Sequence, residues 1–220
     1  MVWAVPVALI ALVILLLAPR DTPVQGRAAQ WWPDWGDPLI WKLGIALGSA
    51  NAMYFTTNAF LPDYLHHLGR PDLVSAALTA LNVGQIPASL ILLAVAGRIE
   101  RSIWPYMVCG SAAIAALIGI IVLPGPGIVA CAGVVGFCAA SILILMLAMP
   151  ALLAPPGDVH RVAGAMFTIS YSLAVITPVL SGLAWDLTGA AWSAFVPIGA
   201  SAFVLIVLAP TIRFGQAEAR

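Results

Sequence analysis

The amino-acid sequence predicts an all-α integral membrane protein with about seven transmembrane helices, arranged as one helix followed by a six-helix unit. Composition is the first observation behind this prediction. Hydrophobic residues make up 62% of the chain and charged residues only 8%, whereas soluble domains carry roughly 25% charged residues. The second observation is that the apolar residues lie in stretches long enough to cross a bilayer. Almost none of the chain can therefore form a water-soluble domain.

Seven apolar stretches account for most of the chain. A hydrocarbon core about 30 Å thick needs roughly 20 helical residues, and Pro and Gly separate stretches of about that length. They lie near residues 2–18, 39–61, 73–96, 103–123, 127–153, 162–184 and 192–209. Because lipid offers the backbone no hydrogen bonds, each stretch is predicted to be a helix. Pro87, Pro178 and Pro197 fall inside stretches and predict loosened or kinked turns there.

The longest connection divides the chain into one helix and six. Residues 1–19 are predicted to be a retained membrane helix and not a cleaved signal, because Arg20 follows the apolar run and no Lys or Arg precedes it. Residues 20–38 form a loop, residues 39–212 the six-helix unit, and residues 213–220 a tail.

The cationic side chains predict the orientation, since short cytoplasmic loops collect Lys and Arg. Only Arg70 lies on one predicted side of the membrane. The other side holds Arg20, Arg27, Lys42, Arg98, Arg101, Arg161, Arg213 and Arg220. This asymmetry predicts a cytoplasmic loop 20–38, a cytoplasmic C-terminus and an N-terminus outside.

The charges and cysteines disfavour several other functions. No Asp, Glu, Lys or Arg lies at a predicted helix centre, so a proton relay or Na⁺ site of charged side chains is not expected within this chain. The net charge of +0 gives no reason to expect nucleic acid as a partner. The three cysteines lie in apolar stretches, and no metal or catalytic motif is present, so we expect neither a cofactor, a metal ion nor an enzyme.

Uncharged polar residues cluster on the second and third stretches. Asn51, Tyr54 and Asn58 are spaced by i, i+3 and i+7, which places them on one helix face, and Asn82 and Gln85 are spaced by i and i+3. These faces either line a water-filled path for a small polar solute or join helices through hydrogen bonds. Both interpretations remain open for the five residues. The nearby Gly44-x-x-x-Gly48 pattern predicts close helix packing.

Two segments resemble a known transporter family. Residues 51–69 contain Phe60-Leu61-Pro62, Tyr64-Leu65 and Gly69, and are similar to the seventh helix and outer loop of the cyanate and nitroimidazole permeases of the major facilitator superfamily. Residues 170–192 resemble the eleventh helix of that family. The matching residues there are Tyr171, Ala174, Pro178, Gly182, the run Asp186-Leu187-Thr188-Gly189, and Trp192.

The resemblance implies the C-terminal half of a twelve-helix transporter, from the end of its helix six to helix twelve. Such proteins rock two six-helix halves around a site at the membrane midplane. The expected solute is small and polar, with an anion as the first candidate, and the expected location is a bacterial inner (plasma) membrane. A missing N-terminal half would be the partner, and Tyr171 would join the solute path.

The resemblance also assigns a gating loop to Arg98, Glu100 and Arg101. Gly97 stands where the superfamily usually carries an Asp, so the salt bridge normally assigned to that Asp lacks its carboxylate here unless Glu100 substitutes. The rival hypothesis is a self-contained seven-helix receptor, sensor or assembly subunit, although the seventh stretch has no Lys for retinal. A membrane-embedded enzyme is the third alternative.

Overall fold

The computed structural model describes Val13 and residues 32–155 and 157–212. The predicted helix at 2–18, apart from Val13, lies outside the described residues. So do Arg20, Arg27, Arg213, Arg220 and the tail 213–220. The description below concerns the unit that begins at Trp32.

Seven α-helices and no strand occur within residues 32–155 and 157–212. They are α1 (Pro38–His67), α2 (Val74–Val83), α3 (Gln85–Ile99), α4 (Trp104–Val122), α5 (Pro126–Leu153), α6 (Val159–Thr188) and α7 (Phe195–Leu208). Single 3-10 turns at Pro71–Leu73, Ala191–Ala194 and Ala209–Thr211 extend the helices beside them. The predicted all-α membrane fold is thus confirmed, with α2 and α3 together forming the stretch predicted at 73–96.

Five of these segments are long and apolar enough to cross a membrane. They are Pro71–Ile99, Trp104–Val122, Pro126–Leu153, Val159–Thr188 and Ala191–Thr211. These five segments identify an integral membrane protein. Helix α1 is not among the five, although its 30 residues span on the order of 45 Å. It packs alongside α5, α6 and α7, and therefore lies across the same layer.

Local sequence signals define the ends of α1. The Asp37 carboxylate accepts a hydrogen bond from the Leu39 N–H at 2.8 Å, and Pro38 occupies the first turn, where no N–H is needed. At the other end Gly69 adopts a φ of +68°, and the Arg70 N–H donates to the Leu65 carbonyl at 2.8 Å. This left-handed closure by glycine is a common helix stop.

The third predicted stretch is broken at Gly84, between α2 and α3. Pro87 has no N–H to donate to the Val83 carbonyl, which removes the hydrogen bond that would carry the helix through this turn. The turn predicted to be loosened by Pro87 is therefore a local interruption, in which Gly84 keeps helical angles (φ −55°, ψ −22°) and donates to the Ala80 carbonyl at 2.8 Å. By contrast, α6 continues through Pro178, and Pro197 falls in the first turn of α7.

The α1 and α6 helices pack side by side and run in the same direction. Successive contacts advance along both helices, from Gly44 with Ile169 through Asn51 with Ser170 to Phe60 with Trp185. A Cβ on Gly44 would lie 2.7 Å from the Ile169 Cβ, so only glycine permits this approach. The packing role predicted for the Gly44-x-x-x-Gly48 pattern is confirmed.

The α5 helix is the second central element of the unit, in contact with α1, α2, α3 and α4. Of the 18 most apolar consecutive residues in each segment, 56% are buried in Pro126–Leu153 and only 17% in Pro71–Ile99. The α2–α3 segment therefore lies at the periphery. It reaches α5 through glycine, since a Cβ on Gly136 would overlap the Leu81 carbonyl oxygen.

The two ends of the bundle differ in charge. One end, which we call the basic end, carries Lys42 and Arg161. Lys42 donates to the Thr211 carbonyl, and Arg161 donates to the Asp158 carboxylate and to the Trp32 carbonyl. The turn between α3 and α4, with Arg98 and Arg101, lies at the same end because successive helices alternate in direction. At the opposite end, Arg70 is paired with Asp72 at 2.8 Å.

Candidate functional site

A polar patch joins the middle of α1 to the middle of the membrane-spanning segment Pro71–Ile99, near the end of α2. The Tyr54 hydroxyl donates to the Asn82 Oδ1 atom at 2.6 Å, and the Asn82 amide donates to the Leu78 carbonyl of its own helix at 2.7 Å. Tyr54 is half-buried and Asn82 is exposed. Two residues predicted separately on different stretches therefore form one hydrogen-bonded pair.

Asn58 and Gln85 complete this patch. Both are half-buried, and neither side chain makes a hydrogen bond to a residue that the structure describes. Gln85 begins α3, directly after the break at Gly84, and its backbone carbonyl accepts from the Ser89 hydroxyl at 2.9 Å. We use "polar patch" below for Tyr54, Asn58, Asn82 and Gln85.

Asn51 lies in a different environment from the polar patch. Its amide donates to the Ser170 Oγ atom at 2.8 Å, and both residues are buried between α1 and α6. For Asn51, this geometry agrees with the second interpretation given above, in which the polar residues join helices through hydrogen bonds. Asn51 thus holds two helices together, whereas Tyr54 and Asn58 on the same helix reach the surface of the unit.

Tyr171 lies on the exposed surface of α6. Its ring stacks on Phe167 with centroids 6.2 Å apart, and 55% of the residue is exposed. No hydrogen bond or ring contact links Tyr171 to a residue of the polar patch within the described part of the chain. The structure therefore does not join it to Tyr54 and Asn82.

The loop assigned to gating lies at the basic end. Arg98 is in the last turn of α3, Glu100 caps that helix, and Arg101 follows. Arg98 and Arg101 are exposed, and none of the three forms an ion pair with a residue in the described ranges. Among the described residues, Glu100 therefore does not form the salt bridge that the resemblance assigns to the missing Asp.

Ser170 was not among the residues selected from sequence. A serine in an apolar stretch gives little signal by itself, but it lies one position before Tyr171 and is completely buried. Three further hydroxyls, those of Thr56, Thr57 and Ser181, are buried on α1 and α6 and have no hydrogen-bond partner among the described residues. Buried polar groups usually have partners, so these two helices carry unsatisfied hydrogen-bonding capacity.

The polar patch offers hydrogen bonds but no charge. Its phenol and amide groups donate and accept, and it contains no carboxylate, imidazole, thiol or amine that could act as a general base or nucleophile. The patch can therefore be hydrated by water and can form hydrogen bonds with a polar solute.

Comparison of the chain with protein-family models, with curated proteins and with solved structures gives no significant match.

Proposed function

We propose that this chain is part of a secondary transporter, similar to the C-terminal half of a major facilitator superfamily permease, that moves a small polar solute by alternating access. The observation that carries the proposal is the pair of half-buried Tyr54 and exposed Asn82, near the middle of α1 and of the membrane-spanning segment Pro71–Ile99. Polar groups exposed at that depth lose their hydration if they face lipid, at a cost of several kcal/mol for an unsatisfied group. They are stable against water or against another polar protein surface.

A transporter supplies both of these surroundings. An aqueous path hydrates the polar patch in one state, and a second six-helix half covers it in another. The peripheral position of the α2–α3 segment fits this arrangement, because Asn82 is exposed and the other described helices leave its face uncovered. The missing N-terminal half named by the resemblance is the proposed partner.

The solute is proposed to be small and uncharged or anionic. The described helices place no carboxylate in the polar patch that would repel an anion, and amide N–H groups donate to anions. The resemblance makes cyanate the first solute to try. The proposed location is a bacterial plasma membrane, with the basic end in the cytoplasm as the positive-inside rule requires.

The proposal is tested by uptake of labelled cyanate into cells that make the complete transporter. Tyr54→Phe removes only the hydroxyl that binds Asn82, and Asn58→Ala removes an amide of the same face. Each change should lower uptake about tenfold or more, a loss of roughly 1.4 kcal/mol of interaction with the transported solute. Asn51→Ala tests whether the buried amide also contributes to uptake.

Ser172→Ala is the matched control. Its hydroxyl bonds only the Thr168 carbonyl of its own helix, so uptake should be unchanged. Membrane abundance of every variant is measured by immunoblot to separate loss of transport from loss of protein. Wild-type uptake in both Tyr54→Phe and Asn58→Ala would contradict the proposed path, and solute binding without flux would favour the receptor or sensor hypothesis.

The genome gives a second, independent test. Five further apolar stretches encoded in frame upstream, or in an adjacent gene, would supply the missing half. A chain that is stable as a monomer in membranes and has no such neighbour would contradict the transporter proposal.

A further inference from the structure

A cleft opens between the last turns of α1 and α6, at the end of the bundle opposite the basic end. Its volume is about 380 Å³, near the lower end of the roughly 300–1,000 Å³ range of small-molecule sites. Helix α1 contributes Phe60, Asp63 and His66, and α6 contributes Gly182, Trp185 and Asp186. The α1 residues are spaced by three and so share a helix face.

Two aromatic rings form the apolar part of the cleft. The Phe60 and Trp185 centroids are 6.4 Å apart, with their planes inclined at 42°. His67 packs edge-on against Trp185, with centroids 5.8 Å apart and an interplanar angle of 84°. The indole of Trp185 thus contacts two rings of α1, while Gly182 places no side chain in the space beside Phe60.

Two carboxylates provide the charge of the cleft. Asp63 and Asp186 are exposed, and neither forms an ion pair or a hydrogen bond through its side chain within the described residues. The nearest cation in sequence, Arg70, already binds both oxygens of Asp72, at 2.9 and 2.8 Å. No described Lys or Arg therefore pairs with the two carboxylates, and the basic side chains beside them are the imidazoles of His66 and His67.

We infer that this cleft binds a small organic cation, attracted by Asp63 and Asp186 and packed against the rings of Phe60 and Trp185. Aromatic faces bind quaternary ammonium groups through the ring quadrupole, and a nearby carboxylate adds a charge partner. A metal ion fits less well, because the described residues contain no converging group of three His, Cys, Asp or Glu ligands. The site lies apart from the polar patch and does not depend on the proposed transport.

Binding of radiolabelled choline to the purified full chain in detergent tests the inference. Choline should bind saturably and be displaced by tetramethylammonium. The neutral isostere 3,3-dimethyl-1-butanol, which has the same shape without the charge, should not displace it. Asp63→Asn and Asp186→Asn should each weaken binding about threefold or more, the size expected for an exposed cation contact.

Two further variants locate the site. Asp72→Asn changes a carboxylate at the same end that is already paired with Arg70, so choline binding should stay within twofold of wild type. Gly182→Leu should abolish binding because it fills the space beside Phe60, with the thermal midpoint measured to verify folding. The inference would be overturned if choline showed no saturable binding, or if both Asp variants bound it with wild-type affinity. It would also be overturned if the neutral alcohol displaced choline as well as tetramethylammonium does, or if Ca²⁺ displaced it more strongly.

Discussion

Asn51, Tyr54 and Asn58 show that residues sharing one helix face can have different roles. Their spacing places them along one side of α1, yet Asn51 is 7% exposed and bonded to Ser170, whereas Tyr54 bonds an exposed amide on α2. The difference comes from the neighbouring helix. The Asn51 amide faces α6 and forms an interhelical hydrogen bond with it. Tyr54 and Asn58 are not covered by α6 and remain available to solute or water.

Replacing Asn51 tests the buried role. Asn51→Ala should lower the free energy of unfolding by about 1 kcal/mol, because interhelical hydrogen bonds in membranes contribute roughly 0.6 kcal/mol on average and at most about 1.7. Unfolding in mixed detergent and SDS micelles measures the change. The double variant with Ser170→Ala should lose less than the sum of the single variants, since both remove the same bond.

Ser172→Ala provides the comparison at a hydroxyl that bonds only within its own helix. Its effect on unfolding should stay within about 0.5 kcal/mol, as for surface substitutions in general. Additive losses for Asn51 and Ser170 would show that their hydrogen bond does not contribute to stability.

At the scale of helices, glycine determines how closely the elements approach. The α2–α5 contact depends on Gly136, where the Leu81 carbonyl occupies the space that a side chain would need. Gly84 is similarly close to the Gly133 carbonyl, at the break between α2 and α3. These contacts hold the peripheral α2–α3 segment, and with it Asn82, against the centre of the unit.

Gly136→Ala should therefore destabilise the chain. The added methyl group forces the α2 and α5 backbones apart, at a cost of about 1–3 kcal/mol for overpacking. The same change at Gly164, where no atom lies within 4 Å of the new Cβ, should be neutral or slightly stabilising, because Ala favours a helix over Gly by roughly 1 kcal/mol. Thermal unfolding in detergent distinguishes the two variants, and equal midpoints would contradict the packing argument.

The sequence predicts the helices well because membrane thickness fixes their length. The stretch predicted at 127–153 is observed at Pro126–Leu153, and the stretch at 103–123 at Trp104–Val122. The sequence does not predict which helices contact one another. Tyr54 and Asn82 are 28 residues apart, and only the packing of α1 on α2 brings them together. Likewise, no spacing rule distinguishes the buried Asn51 from the half-buried Asn58.

At the scale of the whole molecule, the charges are divided between two ends. Lys42, Arg98, Arg101 and Arg161 lie at the basic end, whereas the opposite end carries Asp63 and Asp186 in an open cleft and a paired Arg70. Cytoplasmic loops collect Lys and Arg, so the proposed orientation places the basic end inside and the acidic cleft outside.

Cysteine labelling checks this orientation. The background is a chain whose Cys109, Cys131 and Cys138 are replaced by Ala. In this chain, Leu68→Cys should react with a membrane-impermeant maleimide added to intact cells, because residue 68 is 46% exposed at the end opposite the basic end. Ser102→Cys, in the turn after α3, should react only after the cells are opened. The reverse pattern would show that the basic end faces outward.

The parallel contact between α1 and α6 also constrains the order in which the protein is assembled. Asn51 and Ser170 are 119 residues apart, and α2 to α5 are made between them. At a synthesis rate of about 5–20 residues per second, Asn51 is synthesised roughly 6–24 s before Ser170. During that interval the Gly44–Asn51 surface of α1 has no α6 to cover it, so the hydrogen bond between Asn51 and Ser170 forms only after the four helices between them have been synthesised.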